Sequence, residues 1–171
     1  MTVVGGGNSA GQAACFLARQ SAEVNLVIRH DDLARDMSRY LADRVEQSPR
    51  IKIWRNSEVC ELIGDEALHQ VLLHDLHTDA KQRVATTALF VLIGASPHTS
   101  WLQGEISLDA KGYVLTGHAA DSDGLFETRR PGVFAVGDVR SGSVKRVASA
   151  VGEGSVAIRQ VHEFLESQGR R

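Results

Sequence analysis

Apolar positions in the first hundred residues recur in two alternating rhythms. Residues 2–5 are a short strand-like run, and residues 8–20 follow with Ala10, Ala13, Ala14 and Leu17 on one helical face. "VNLVIR" (24–29) predicts a second buried strand. "LARDMSRYLADRVEQ" (33–47) predicts one amphipathic helix with Leu33, Met37, Leu41 and Val45 at steps of four, N-capped by Asp31 or Asp32. "RIKIWR" (50–55) predicts a third strand. The period then shortens: "SEVCELIG", "ALHQVLLHDLHT" and "QRVATTALFVLIG" predict consecutive strands, with turns at Gly64-Asp65 and Asp79-Ala80 and a final buried strand "ALFVLIG". The order β-α-β-α-β, a small meander and a closing strand predicts an α/β, three-layer Rossmann-like nucleotide-binding domain with an antiparallel insertion.

Beyond "IGASPHTSWL" the pattern loosens. Residues 105–130 are polar and irregular, with short strands expected at "YVLTG" and "LFETR". "PGVFAVGD" predicts a buried strand ending in Gly-Asp. Residues 143–168 form one long helical pattern whose apolar face carries Val144, Val147, Ala148, Val151, Ile158, Val161 and Leu165. One strand-turn-helix unit and a few short strands are too little for a closed α/β domain. The division expected is therefore a nucleotide-binding domain over 1–95 and an incomplete segment of a second over 96–171.

Composition adds few constraints. The 171 residues are 43% apolar and 23% charged with a formal charge of −2, which gives no electrostatic argument for nucleic acid or an anionic membrane. No apolar run is long enough to span a bilayer, and no charged n-region with an apolar stretch opens the chain. Cys15 and Cys60 form no C-x-x-C pair and are expected to be buried thiols, which suits a reducing cytoplasm. The histidines of "HQVLLHDLH" fail as a metal site: His69 and His77 share a strand face but lie eight residues apart, and His74 points the other way. They read as solvent-facing hairpin residues.

Three segments carry candidate chemistry. Gly5-Gly6-Gly7-Asn8-Ser9-Ala10 is a G-x-G-x-x-A placed between strand and helix. Small residues there let the backbone turn tightly and let a pyrophosphate reach the amides at the helix N-terminus. No acidic residue occupies that helix's first turn, which leaves its dipole to an anionic ligand. The alternative is a plain Gly-rich turn. The second strand ends not in the Asp or Glu that binds an NAD ribose but in Arg29 and His30. Arg29 suits a 2′-phosphate, His30 can add a hydrogen bond, and NADP(H) is favoured over NAD(H). A solvated surface arginine is the competing reading. The third segment is "GVFAVGDVRSGSVKRVASAVGEGS". Asp138 closes an apolar strand, and Ser143 caps a helix whose first turn carries Lys145 and Arg146, cations at the wrong end of the dipole unless an anion binds there. Gly152 and Gly154 sit inside the helical pattern, each unfavourable by roughly 0.5–1 kcal/mol relative to Ala.

These segments together resemble the thioredoxin reductase-like flavoproteins, which are FAD- and NADPH-dependent pyridine nucleotide-disulfide oxidoreductases. The blocks that carry the resemblance are "VVGGGNSAGQAA", "MSRYL", "FVLIGASPHTSWL", "ETRRPGVFAVGDVR" and "VKRVASAVGEGS", and the last two are the most specific. The resemblance implies that Gly5 to Ala10 and Arg29 face NADPH, and His30 and Gly94 are further cofactor-binding candidates. It implies that Asp138 holds the FAD ribitol, with Lys145, Arg146 and Val147 along the flavin, and Gly137 is a further cofactor-binding candidate. "KRV" departs from the family's commoner "RQA", which makes those side-chain contacts less secure than Asp138. "MSRYL" and "SVKRVASAVGEGS" look most like a subgroup often carrying extra N-terminal regulatory domains. It further implies a redox C-x-x-C just upstream of the glycines and an N-terminal FAD lobe. Neither is within these residues, so no catalytic residue is assigned and the expectation is a chain that begins inside a larger enzyme. The partners implied are that lobe, a second copy of the chain, and a thioredoxin-like or other electron acceptor. A non-catalytic NADP(H)-binding module and a subunit of a split flavoenzyme remain as alternatives.

Overall fold

The computed structural model describes residues 1–21 and 23–169. The chain divides into two compact units, Met1–Gly94 and Ala95–Arg171.

In the first unit, β1 (Thr2–Val4), β2 (Val24–Val27), β3 (Ile51–Trp54) and β7 (Leu89–Val91) form a parallel sheet in the order β3-β2-β1-β7. Between β3 and β7 the chain makes an antiparallel sheet of β4 (Ser57–Gly64), β5 (Leu68–Asp75) and β6 (Lys81–Ala85). Strand side chains alternate faces, and both faces are used. Val3, Val24, Leu26 and Ile28 pack with Ala10, Ala14 and Leu17 of α1 (Asn8–Leu17) and Leu41 and Val45 of α2 (Arg39–Glu46). On the other face Val27, with Val4 and Trp54, meets Val71, Leu73 and Val84 of the antiparallel sheet. Asn25, buried in β2, accepts a hydrogen bond from Trp54 Nε1 at 2.8 Å, which satisfies a polar group facing this layer. The result is the expected three-layer α/β arrangement.

Several expectations are corrected. The single helix over 33–47 is two pieces: a 3-10 turn at Leu33–Arg35, capped by Asp32 accepting from the Ala34 amide, then α2 with Ser38 at its N-cap. The Ser38 amide donates to Asn8 Oδ1 at 2.8 Å, which draws the backbone out of a continuous helix. Leu33, Met37, Leu41 and Val45 are nonetheless all buried. The closing strand is an edge strand rather than a buried one, with Phe90 and Val91 exposed. Cys60 is exposed where the β4–β5 register shifts between Val59 and Glu61, and Cys15 is half-buried. His77 lies beyond β5, so strand alternation does not reach it, and His74 is half-buried between Glu58 and Asp79.

In the second unit, "YVLTG", "LFETR" and "PGVFAVGD" form no strands. Their pairing is confined to isolated bridges, Val114 with Leu108 and Arg140 and Glu127 with Phe134, and to scattered backbone hydrogen bonds such as Ala135 amide to Phe126 O. Gly132 and Gly137 both take positive φ (78° and 72°), which turns the chain before a ladder can extend. Gly137–Val139 is a 3-10 turn. The long helix α3 spans Val147–Ser167. Its packed side departs from the apolar face read from sequence, of which only Val161 and Leu165 are half-buried. Ala150, Glu153, Ala157, Gln160 and Phe164 make its contacts within this unit: Gln160 Oε1 accepts the Phe126 amide, and Phe164 meets Phe134 edge-on at 6.3 Å. Val147, Val151 and Ile158 are 83%, 68% and 61% exposed.

No described helix is long and apolar enough to cross a membrane.

Candidate functional site

β1 delivers the chain to Gly5, whose amide donates to Val27 O and whose φ is +142°, a conformation open to glycine. A Cβ there would lie 2.3 Å from Leu92 O and 3.2 Å from Ala10 Cβ, so turn, strand and helix are in close contact. Gly7 is the N-cap of α1 in extended conformation and offers no side chain to the helix amides. Asn8 opens the helix with its side chain turned to Ser38, Ser9 is exposed, and Ala10 is buried. No acidic residue stands in the first turn. A Cβ on Gly7 would meet nothing nearer than Asp36 O at 3.8 Å, and amides at a helix N-terminus suit an anion.

The end of β2 lies beside this turn. His30 Nε2 is 2.9 Å from Asp36 Oδ2, and a Cβ on Gly6 would come within 2.9 Å of that same nitrogen. His30 Nδ1 is buried without a partner among the described residues. Arg29 is exposed and makes no hydrogen bond among the described residues. Gly94, at φ +91°, closes the first unit just after β7 with open space around it.

The second unit gathers Gly137, Asp138, Lys145, Arg146 and Val147, with Ala150 and Val151, around an open cavity of ≈ 610 Å³. Asp138 sits in the 3-10 turn rather than at a strand end, and is exposed. Ser143 is not the helix cap. The segment before α3 is non-helical, Arg146 is the N-cap residue, and no side chain caps the helix. Lys145 and Arg146 thus precede the first turn instead of occupying it, still beside the positive end of a helix of 21 residues with no acid in its first turn. Lys145 Nζ donates to Asp138 O at 2.7 Å and lies 4.0 Å from the centre of the Tyr113 ring, which ties it to the turn that carries Asp138.

Other residues of these sites escaped the sequence reading. Asp36 is one, facing His30 and the Gly-rich turn. Arg140 and Glu153 are others: Arg140 Nη2 is 2.5 Å from Glu153 Oε1 and Nε is 3.1 Å from Oε2. Their only sequence signal was placement in "GDVR" and "GEG". Gly152 to Ala157 repeats the G-x-G-x-x-A spelling, but inside α3, where there is no turn to cradle a phosphate.

A family model described as pyridine nucleotide-disulphide oxidoreductase matches residues 1–154. Among curated proteins, NADPH-dependent thioredoxin reductase 3 of Arabidopsis thaliana is 32% identical over 169 residues, covering 98% of this chain and 31% of that protein. Thioredoxin reductase of Streptomyces clavuligerus is 33% identical over 165 residues, covering 96% and 49%. Among solved structures, thioredoxin reductase of Lactococcus lactis superposes with a TM-score of 0.81 at 27% identity, covering 97% of this chain and 52% of that one. The chain spans about half the length, or less, of the relatives it matches.

Proposed function

The chain belongs to the pyridine nucleotide-disulphide oxidoreductase family, and from that premise we propose that its first unit binds NADPH and its second supplies the C-terminal half of an FAD site. The whole enzyme, on this reading, passes hydride from NADPH to FAD and electrons onward to a disulfide or another acceptor, a thioredoxin-like protein among them. Flavin supplies the two-electron chemistry when bound. The chain's own residues bind and orient. The amides of Gly7 to Ala10 hold the NADPH pyrophosphate, and exposed Arg29 pairs with the 2′-phosphate through its charged fork. His30, committed to Asp36, braces the Gly-rich turn. In the second unit Asp138 accepts from the flavin's ribitol, while Lys145, Arg146 and Val147 line its approach at the N-terminus of α3.

The observation that carries this reading is what stands before two of the three described α-helices, all of which lack a side-chain cap and an acid in the first turn. One lies behind a Gly-rich turn, and the other behind a carboxylate and two cations. An NADP(H)-binding module without flavin chemistry has no use for the second. The FAD pyrophosphate is left to an N-terminal lobe outside these residues, supplied in the same chain or by a separate one. Exposed valines on α3 suit either that lobe or a second copy of the chain. Two unpaired cysteines suit a reducing cytoplasm.

The nucleotide preference is testable on the 171 residues. A charge-assisted contact to the 2′-phosphate is worth ~1.5–3 kcal/mol, so NADPH should bind roughly ten- to a hundredfold more tightly than NADH by calorimetry. Arg29→Ala should erase most of that preference and leave NADH binding little changed. Equal affinity of the unmutated chain for the two nucleotides would contradict the assignment.

A further inference from the structure

Glu153 stands between Gly152 and Gly154 in mid-helix, and a Cβ on either glycine would meet nothing within 4 Å. The residue between them is heavily used. Its Oε2 accepts the Gly137 amide at 2.7 Å and Arg140 Nε at 3.1 Å, and its Oε1 accepts Arg140 Nη2. The Glu153 and Arg140 side chains are only 13% and 18% exposed. Arg140 also lies 5.3 Å from the Phe126 ring centre and donates Nη1 to Ser141 O. From the other side, Ala150 Cβ is 3.2 Å from where a Cβ on Gly137 would stand. The Val114 amide donates to Val139 O and the Ser141 amide to Val114 O, which anchors the far end of the turn. Gly137–Val139 is therefore clamped to α3 by one carboxylate reaching across 16 residues of chain.

We propose that Glu153 is the positioning residue of the Asp138 turn: by holding the Gly137 amide and the Arg140 guanidinium together, it sets where Asp138 stands at the cavity before α3, and so how tightly flavin is held. This rests on the reading of that cavity as half of an FAD site. The charge matters as well as the shape. A bidentate carboxylate–guanidinium pair is about twice as strong as neutral hydrogen bonds, and an amide at this position would turn an N–H toward a donor. The Arg140 hydrogen bonds hold the Glu153 carboxyl below the usual carboxylate range, helped by the Gly137 amide and by the charges of Arg140 and Lys145. A carboxylate lowered in the folded state contributes above its unfolded value, and that contribution is lost as pH falls through the folded one.

The test follows amide hydrogen exchange over 136–140 in the 171-residue chain, and FAD titration by flavin fluorescence anisotropy on that chain completed by an N-terminal FAD lobe. Glu153→Gln should speed Gly137 exchange roughly tenfold and leave amides of 158–165 unchanged. Glu153→Asp, which keeps the charge, should restore part of the protection. In the unmutated chain Gly137 should lose protection only below the usual carboxylate range, while in Glu153→Gln that pH step should be absent. FAD affinity should fall with Glu153→Gln by about as much as with Asp138→Ala. Unchanged Gly137 exchange in Glu153→Gln overturns the proposal. So does FAD binding that weakens with Asp138→Ala but not with Glu153→Gln, and there the flavin reading survives. If, with the lobe added, the unmutated protein and Asp138→Ala bind FAD alike, or neither binds it, the flavin reading fails. The link from Glu153 to flavin then fails with it, whatever the exchange result says of the turn.

Discussion

In Met1–Gly94 the apolar side chains face one another across two layers, with Val3, Val24, Leu26 and Val27 wholly buried on one sheet. In Ala95–Arg171 the longest helix turns Val147, Val151 and Ile158 to solvent and packs instead through Ala150, Glu153, Ala157, Gln160 and Phe164. Among the described residues of this unit, the buried apolar ones are few: Ile106, Val114, Ala120, Phe126 and Ala157. The first unit closes its own core. The second is held to a larger extent by polar clamps, among them Glu153 with Arg140 and Asp109, whose Oδ2 accepts from Ser141 Oγ. An exposed apolar helix face of this kind calls for cover. That contrast is why the two cofactor sites are proposed to differ, one self-contained and one half of a whole.

Core truncation should separate the two regions most sharply. Leu26→Ala removes a wholly buried side chain at the centre of the parallel sheet and should destabilise the first unit by about 2–5 kcal/mol in denaturant unfolding. Val151→Ala, at 68% exposed, should stay within about 0.5 kcal/mol. A large loss from Val151→Ala in the chain alone would mean that α3 is already covered, and the contrast would break.

Glycines give a smaller and signed version of the same comparison. Gly5→Ala would place a methyl group 2.3 Å from Leu92 O in a left-handed conformation, and should destabilise by about 1–3 kcal/mol. Gly152→Ala meets open space within a helix and should stabilise by roughly 0.5–1 kcal/mol. Thermal unfolding of the two variants should therefore shift in opposite directions. Loss of stability in both would show that Gly152 is packed against something in solution.

The first unit was more legible in sequence than the second, because its elements are set by near-neighbour periodicity. A short first strand, the Gly-rich turn and the helix start at Asn8 followed from spacing alone, and so did the four-step burial of Leu33, Met37, Leu41 and Val45. The strand stops at Val4 rather than residue 5, however, and the helix at Leu17 rather than residue 20. The break before α2 was not visible, since it depends on Ser38 reaching Asn8, 30 residues away. In the second unit, "PGVFAVGD" has the composition of a strand, but a strand also needs a ladder, and here the pairing stops at single bridges. Ser143 has the chemistry of a cap, yet the helix begins after Arg146. Val147 and Val151 mark an apolar face correctly as a pattern, while the contacts run along the neighbouring face through Glu153. No local rule pairs Glu153 with Gly137 and Arg140, because folding alone brings them together.

The most direct measurement of the central claim is cofactor retention by the 171 residues. The chain is equilibrated with FAD, desalted and examined for flavin absorbance, then titrated with NADPH. It should emerge colourless, or nearly so, and still bind NADPH in preference to NADH. Adding an N-terminal FAD lobe, in the same chain or as a second one, should give a yellow protein whose flavin bleaches with NADPH. A bright yellow, tightly flavinated preparation of these residues alone would contradict the account, since it would show the second unit to be a complete flavin site.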